Sequence, residues 1–92
     1  MREQPIQSAV VKYARSQGVI AVKMTVGAGF PDFMFLYKGK VAFVEFKATR
    51  GRATHLQEFQ ITRLDQHGFD VALVRDIEHG KQIIDLLTNK GQ

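Results

Sequence analysis

The spacing of hydrophobic positions changes several times along the chain, and each change predicts a new element. Residues 3–17 repeat apolar side chains at the spacing of one helix face, and Gly18 follows as a helix-ending residue. Residues 19–24 form a short apolar run that predicts a strand, and a glycine-bearing loop over 25–31 comes next. The chain is therefore predicted to begin with a helix and a strand.

Two further runs, residues 32–37 and 40–48, are rich in aromatic and β-branched side chains, and Lys38 and Gly39 separate them. Such a pair predicts a β-hairpin with a tight turn. The aromatic side chains recur at strand spacing, which favours a role in core packing over stacking on bases.

The rest of the chain is predicted to form a basic loop, a helix, a strand and a last helix, over residues 49–53, 54–67, 69–74 and 77–89. Asp76 is the expected N-cap of the last helix, and Gly91 lies beyond its expected end. The late strand follows a crossover helix, so we expect it to lie parallel to the strand before that helix. The predicted fold is α/β, with a mixed sheet in the order α-β-β-β-α-β-α, flanked by helices.

The hairpin determines which residues face each other. If Lys38 and Gly39 form the turn, the numbers of paired residues sum to 77, and Asp32 lies opposite Glu45. Opposed residues share a face of the sheet, with Cβ atoms about 4.5–5.5 Å apart. Lys47 lies two residues after Glu45 and points to the same side. We therefore expect Asp32, Glu45 and Lys47 to meet at one edge of the sheet.

Two carboxylates placed in this way repel each other, and a divalent cation between them would remove the repulsion. Oxygen ligands favour Mg²⁺, Mn²⁺ or Ca²⁺ over softer metals. A second interpretation stays open, in which Asp32 merely begins a strand and Glu45 and Lys47 form a solvated polar face. The apolar neighbours of Glu45 favour the metal interpretation, because a strand covered on both faces needs a reason for charges at its end.

Composition narrows the class of protein. The 92-residue chain has 13 Lys and Arg against 9 Asp and Glu, a net charge of +4 that fits a polyanionic partner. The absence of cysteine excludes disulfides, thiolate zinc sites and iron–sulfur clusters. The sequence has neither an apolar signal core, nor a run of transmembrane length, nor a P-loop motif. We expect one intracellular, cytoplasmic domain with no membrane partner and no nucleotide cofactor.

The order of motifs resembles a known family. The residues that carry the resemblance are, in chain order, Pro31-Asp32, Glu45-Phe46-Lys47 and Leu56-Gln57. Their arrangement resembles the PD-(D/E)xK nuclease superfamily and, more narrowly, its virus-type replication-repair nuclease domain, VRR-NUC. The similarity extends over residues 3–74. It implies a restriction-endonuclease-like core that forms one domain over residues 1–92.

The resemblance implies a metal-dependent endonuclease and assigns roles to its motif residues. By similarity, Asp32 and Glu45 would ligate Mg²⁺ or Mn²⁺, and the backbone carbonyl of Phe46 would add a ligand. Lys47 would orient or deprotonate the attacking water, or stabilise the charge that develops on the phosphate. Whether one metal ion or two are bound stays open.

Two further positions enter the site by resemblance, and each has an ordinary alternative. Gln57 corresponds to the family's helix glutamine, but Thr54 and Gln57 also have the spacing of a capping box, and both roles can coexist. Glu3 corresponds to an acidic residue of the family's site, where it would join the metal ligands. A glutamate in a first helical turn also complements the helix dipole, without any metal.

Basic residues around the predicted site are candidates for DNA contacts. Arg50 and Arg52 leave the sheet directly after the predicted site, where they could reach phosphates. Lys23 ends the first predicted strand, and His55 lies one residue after the predicted helix cap. A solvated surface loop without a DNA role is the alternative for the two arginines.

We expect a structure-selective DNA endonuclease. Stand-alone phage-type relatives imply branched DNA as substrate, in particular four-way (Holliday) junctions, and a phage or bacterial origin. A homodimer is expected, because a junction requires two symmetric cuts and the chain offers one site. Two alternatives stay open: a non-catalytic nucleic-acid-binding module, and a nuclease of the same fold that cuts flap DNA, plain duplex or RNA.

Overall fold

The structure is a computed structural model that describes residues 1–25 and 27–89. Its elements are α1 (Glu3–Ser16), β1 (Ile20–Lys23), β2 (Phe33–Tyr37), β3 (Lys40–Phe46), α2 (His55–Gln66), β4 (Asp70–Val74) and α3 (Ile77–Leu87). The predicted order is confirmed. Gly91, which the sequence places beyond the expected end of the last helix, lies outside the described residues. No helix in the described ranges is both long enough and apolar enough to span a membrane.

The four strands form one mixed sheet in the order β1-β2-β3-β4. The first two pairings are antiparallel, and β4 lies parallel to β3, as expected for a strand that follows a crossover helix. Phe33 pairs with Val44, so the predicted sum of 77 is confirmed. Lys38 and Gly39 have φ values of 46° and 80°, the two positive angles that a type I′ hairpin turn requires.

Five of the predicted strand ends differ from the structure by one or two residues, and two of these differences fall at the candidate site. Asp32 was expected to begin a strand but precedes β2, and its carboxylate instead accepts the N–H of Phe46 at 2.9 Å. Lys47 and Ala48 were expected to continue β3, which ends at Phe46. The N–H of Lys47 donates a hydrogen bond to Val74 O at 2.9 Å, beyond the end of the hairpin.

One face of the sheet packs against α1 and α3 to form the main core. Phe35 and Phe46 of the sheet are completely buried there, as are Ile6 of α1 and Ile84 of α3. The rings of Phe33 and Phe46 pack edge to face, with their centroids 5.8 Å apart. Four of the strand aromatics are buried, which confirms their predicted role in packing.

The helix α2 lies on the opposite face, over the end of β3 and over β4. Glu45 alternates with Val44 and Phe46, whose side chains belong to the main core, so its own side chain points to the other face. There it meets Gln57 of α2. All residues from 42 to 46 are buried, which confirms that this part of β3 is covered on both sides.

Candidate active site

Asp32 and Glu45 come together at the edge of the hairpin. Asp32 lies one residue before β2, at the position that the register places opposite Glu45. Its Oδ2 atom accepts the Phe46 N–H at 2.9 Å, which holds the half-buried carboxylate beside β3. Its backbone carbonyl accepts the N–H of Met24 at 2.7 Å, which ties the same residue to the end of β1.

The carboxylate of Glu45 is the most unusual group of the molecule. Only 2% of the residue is exposed to solvent, although it is ionisable. Its Oε2 atom accepts a hydrogen bond from Gln57 Nε2 at 3.0 Å and lies 3.5 Å from Lys47 Nζ. Its Oε1 atom is buried and has no hydrogen-bond partner among the described residues. Buried polar atoms are normally paired, so the unpartnered oxygen calls for an explanation.

The surroundings of Glu45 favour its neutral form. Burial, and after it the charge of Asp32, raise the pKa of Glu45 to about 7, against a smaller opposing effect of Lys47. Glu3 raises the pKa further, by the smallest of the contributions. Ionising Glu45 would therefore place a second negative charge beside Asp32 where it is poorly solvated, and an added cation would relieve this cost.

Gln57 takes part in the cap of α2 and also contacts Glu45, while its role in the candidate site stays a prediction. Thr54 is the N-cap of α2: its Oγ1 atom accepts the Gln57 N–H at 3.1 Å, and its own N–H donates to Gln57 Oε1 at 2.9 Å. The capping box is therefore confirmed. Because the Oε1 atom of Gln57 is engaged in the cap, the amide nitrogen of the same side chain donates to Glu45.

Lys47 is held on the site side of the sheet. Its backbone N–H donates to Val74 O, which fixes the residue next to β4. Its side chain is 15% exposed and forms an ion pair with Glu45. A lysine in this position places a positive charge beside the carboxylate pair while still reaching the surface.

Glu3 lies near the site without joining the two carboxylates in a common cluster. The N–H of Thr49, just after β3, donates to Met1 O at 3.0 Å and brings the first turn of α1 to this edge. Within residues 1–25 and 27–89, no three acidic or histidine side chains converge closely enough to hold a metal ion. A ligand role for Glu3, and one for the carbonyl of Phe46, stay predictions.

The donors at this edge fit a hard divalent cation. Asp32 and Glu45 offer carboxylate oxygens, and Glu45 Oε1 is a buried acceptor that lacks a partner in the described part of the chain. Mg²⁺ is typically bound through one or two carboxylates, with water and a substrate phosphate as the remaining ligands. Two carboxylates are therefore sufficient protein ligands for such an ion.

Comparison with known proteins identifies the family. The family model of the VRR-NUC domain matches residues 3–76. The chain belongs to the VRR-NUC domain family. A solved structure described as a VRR_NUC domain superimposes with a TM-score of 0.81 at 22% identity, over 90% of this chain and 94% of that one. No curated protein sequence matches the chain. The predicted family and fold class are confirmed, and the fold is of the nuclease type.

The span that matches the VRR-NUC domain contains all of the predicted site residues. It begins at Glu3 in α1 and ends at Asp76, the N-cap of α3, whose Oδ1 atom accepts the His79 N–H at 2.7 Å as predicted. The following helix, α3, lies beyond the match, and it completes the core of this chain through Ile84.

The predicted DNA-contacting residues of this VRR-NUC domain lie in two places. Lys23 is at the end of β1, with its ammonium 5.3 Å from the ring centroid of its strand partner Phe33. Arg50 is exposed on the loop after β3, whereas Arg52 and His55 line a cleft beside α2. None of the four is part of the carboxylate site itself.

Sequence reasoning missed Arg75. This residue follows β4 directly, and its Nε atom donates to Gly51 O at 2.8 Å in the basic loop. One signal could have revealed it. The carboxyl ends of parallel strands meet at the same edge of a sheet, so a cation directly after β4 belongs beside Lys47, directly after β3.

Proposed function

We propose that this VRR-NUC domain is a metal-dependent endodeoxyribonuclease that hydrolyses phosphodiester bonds. Asp32 and Glu45 would hold Mg²⁺ or Mn²⁺, with the Phe46 carbonyl and Glu3 as further candidate ligands. The observation that carries the proposal is the buried, unpartnered Oε1 atom of Glu45 beside a second carboxylate. A purely structural carboxylate would be expected to have both oxygens paired.

Each residue of the site has a task in this proposal. A bound Mg²⁺ or Mn²⁺ ion supplies an activated water and stabilises negative charge on the phosphate. Lys47 Nζ lies 3.5 Å from Glu45 Oε2, and from there it would donate a hydrogen bond to the attacking water or to the phosphate oxygens. Gln57 donates its hydrogen bond to the Oε2 atom of Glu45, which leaves the Oε1 atom of Glu45 for the cation. Its task is therefore to position a ligand.

The substrate in this proposal is DNA, in particular branched DNA such as a four-way junction, cut inside the cell by a homodimer. Net charge supports a polyanionic partner, since the chain carries +4. The described residues offer one such carboxylate pair, so a symmetric pair of cuts requires two copies related by a two-fold axis.

Cleavage of labelled DNA tests the proposal. Four-way junction, flap and linear duplex would be incubated with Mn²⁺, Mg²⁺ or EDTA, using the wild-type protein and Lys47→Ala. We expect metal-dependent cutting of the junction, its loss in Lys47→Ala, and a dimer by light scattering. The matched control is Lys12→Ala, which removes the same charge from an exposed position on α1 and should cut like the wild type.

Other results would change the proposal in defined ways. Equal cutting of all three DNAs would retain the site and remove the structural preference. RNA cutting without DNA cutting would change the substrate class. Binding without cutting in any metal would contradict nuclease activity and would favour the non-catalytic binding module.

A further inference from the structure

A basic cleft of about 660 Å³ lies between the loop after β3, the helix α2 and the end of β4. Its basic side chains are Arg52, His55 and Arg75, and Glu58 is the acidic residue among those that line it. Arg52 and His55 are exposed, whereas Arg75 is half-buried. The cleft therefore combines exposed basic side chains with an arginine that the fold partly buries.

The position of Arg75 is fixed through one edge of its guanidinium group. Its Nε–H donates to the carbonyl of Gly51 at 2.8 Å, and the contact is partly buried. Gly51 sits between Arg50 and Arg52, so the bond also anchors the loop that carries both arginines. A guanidinium group has five N–H donors, and one is used here, so its terminal nitrogens retain capacity for a planar anion.

The cleft lies next to the carboxylate site across the pairing of β3 with β4. Leu73 lines the cleft and is the register partner of Glu45 in the parallel pairing of β3 with β4. Arg75 follows Val74, whose carbonyl accepts the N–H of Lys47. The strand β4 thus connects the cleft with the carboxylate site, and a polyanion lying along this edge of the sheet would meet both.

We propose that Arg75 binds a DNA backbone phosphate next to the one that is cut, and that it positions the loop of Arg50 and Arg52 for the same strand. The inference rests on the proposed nuclease function and adds a phosphate-binding subsite to it. A guanidinium group with terminal N–H donors to spare binds a phosphate or a carboxylate in bidentate fashion, and on DNA the anionic group is the phosphate. Two arginines on one wall, against one glutamate, favour an anionic occupant.

Binding of a labelled four-way junction in EDTA, at several salt concentrations, tests the inference without any cutting. We expect Arg75→Ala to weaken binding about tenfold and to reduce the slope of log affinity against log salt by about one. The matched control is Arg63→Ala, which also removes an arginine from this region. Arg63 lies in the last turn of α2, with its guanidinium 5.9 Å from the centroid of the exposed Phe59 ring, and it does not line the cleft.

Two conservative variants separate charge from loop positioning. Arg75→Lys keeps the charge and loses the Nε–H, so it should retain the wild-type salt slope while binding more weakly than the wild type. Arg75→Gln keeps a side-chain N–H and loses the charge, so it should show the reduced slope. If Arg75→Ala loses its folded circular dichroism spectrum, Arg75→Gln takes its place in the comparison with Arg63→Ala.

The possible results distinguish this inference from the function on which it rests. Equal affinity and slope in Arg75→Ala, Arg63→Ala and the wild type would overturn the phosphate subsite, even if Lys47→Ala shows that the enzyme cuts. If the wild type cuts no DNA in any metal, the nuclease function fails. A reduced salt slope in Arg75→Ala would then still demonstrate the phosphate contact.

Discussion

Gln57 Nε2 donates a hydrogen bond to Glu45 Oε2 at 3.0 Å, and the same side chain closes the capping box of α2. Its Oε1 atom accepts the Thr54 N–H, so only the NH₂ group remains to face the carboxylate. The residue that fixes the start of a helix therefore also fixes the orientation of a buried acid. The geometry connects helix capping to the candidate metal site.

Gln57→Glu should separate these two roles. Glutamate at the third helical position still completes a capping box, whereas its carboxylate cannot donate to Glu45 and repels it. We expect metal-dependent cleavage to fall at least about tenfold, since a hydrogen bond to a charged group contributes about 1.5–3 kcal/mol. Gln57→Ala should also lose the reciprocal half of the capping box, the bond from the Thr54 N–H to the Gln57 side chain, and reduce the free energy of unfolding by about 1 kcal/mol.

The matched control for this prediction is Gln66→Glu, which adds the same charge at the exposed far end of α2. It should cut DNA like the wild type. Unchanged cleavage in Gln57→Glu would mean that the orientation of Glu45 does not depend on this contact, and urea unfolding of the three variants would show whether the cap alone matters.

Much of this site could be predicted because it depends on local rules. A turn at Lys38 and Gly39 needs two positive φ angles, and once it forms, the register of the hairpin follows. That register brings Asp32 to Glu45 without any knowledge of the rest of the fold. The strand after α2 was equally predictable, because crossover connections join parallel strands.

The remaining features depend on distances between elements that no periodicity encodes. The bond from Arg75 to Gly51 joins two loops that are 24 residues apart. The exact strand ends at Asp32 and Lys47 depend on which distant carbonyl or carboxylate takes a given N–H. The unpartnered oxygen of Glu45 follows from the way α2 packs across the sheet, which the sequence does not specify by itself.

The stability of the metal-free protein should decrease as pH rises. Burial and Asp32 raise the pKa of Glu45 from 4.5 to about 7, so the folded chain keeps a proton that the unfolded chain releases. The stabilisation is fully present below the pKa that Glu45 has in the unfolded chain. It is lost as pH rises through the folded-state pKa of about 7, and the loss amounts to up to about 3 kcal/mol. Urea unfolding in EDTA from about pH 4 to about pH 8 would measure it.

Glu45→Gln provides the comparison that isolates this group, because glutamine does not titrate. Its free energy of unfolding should depend less on pH over the same range, and near pH 8 it should exceed that of the wild type. Identical pH profiles in the two proteins would assign the loss of stability to other groups.

Metal binding should stabilise the fold, and more so at higher pH. The cation and the proton compete for Glu45, whose pKa lies at about 7, so binding weakens as the carboxyl becomes protonated. Mn²⁺ at about 100 times its dissociation constant should add about 2.7 kcal/mol to the free energy of unfolding. Thermal unfolding with Mn²⁺ or EDTA, at about pH 6 and about pH 8, would record the difference.

The carboxylates themselves supply the controls for the metal prediction. Asp32→Asn and Glu45→Gln should lose most of the Mn²⁺-induced rise in melting temperature, whereas Asp65→Asn, on the exposed far turn of α2, should retain it. A rise of equal size in all four proteins would place the bound ion somewhere other than the Asp32–Glu45 pair.

Gly80 allows α3 to approach α1, and its replacement tests how tightly the core is packed. A Cβ atom at Gly80 would overlap the side chain of Val10, which is completely buried. In an open helix interior, alanine would stabilise by about 1 kcal/mol relative to glycine. Here we expect Gly80→Ala to lower the free energy of unfolding by about 1–3 kcal/mol, measured in urea.

A double-mutant cycle identifies the cause of that loss. Val10→Ala alone should destabilise by leaving a cavity, but in its presence the added methyl group of Gly80→Ala gains room. The double variant should therefore be more stable than the sum of the two single changes by at least about 0.5 kcal/mol. Additive effects would mean that α1 and α3 move apart instead, and that the loss comes from displaced helices rather than from one overlap.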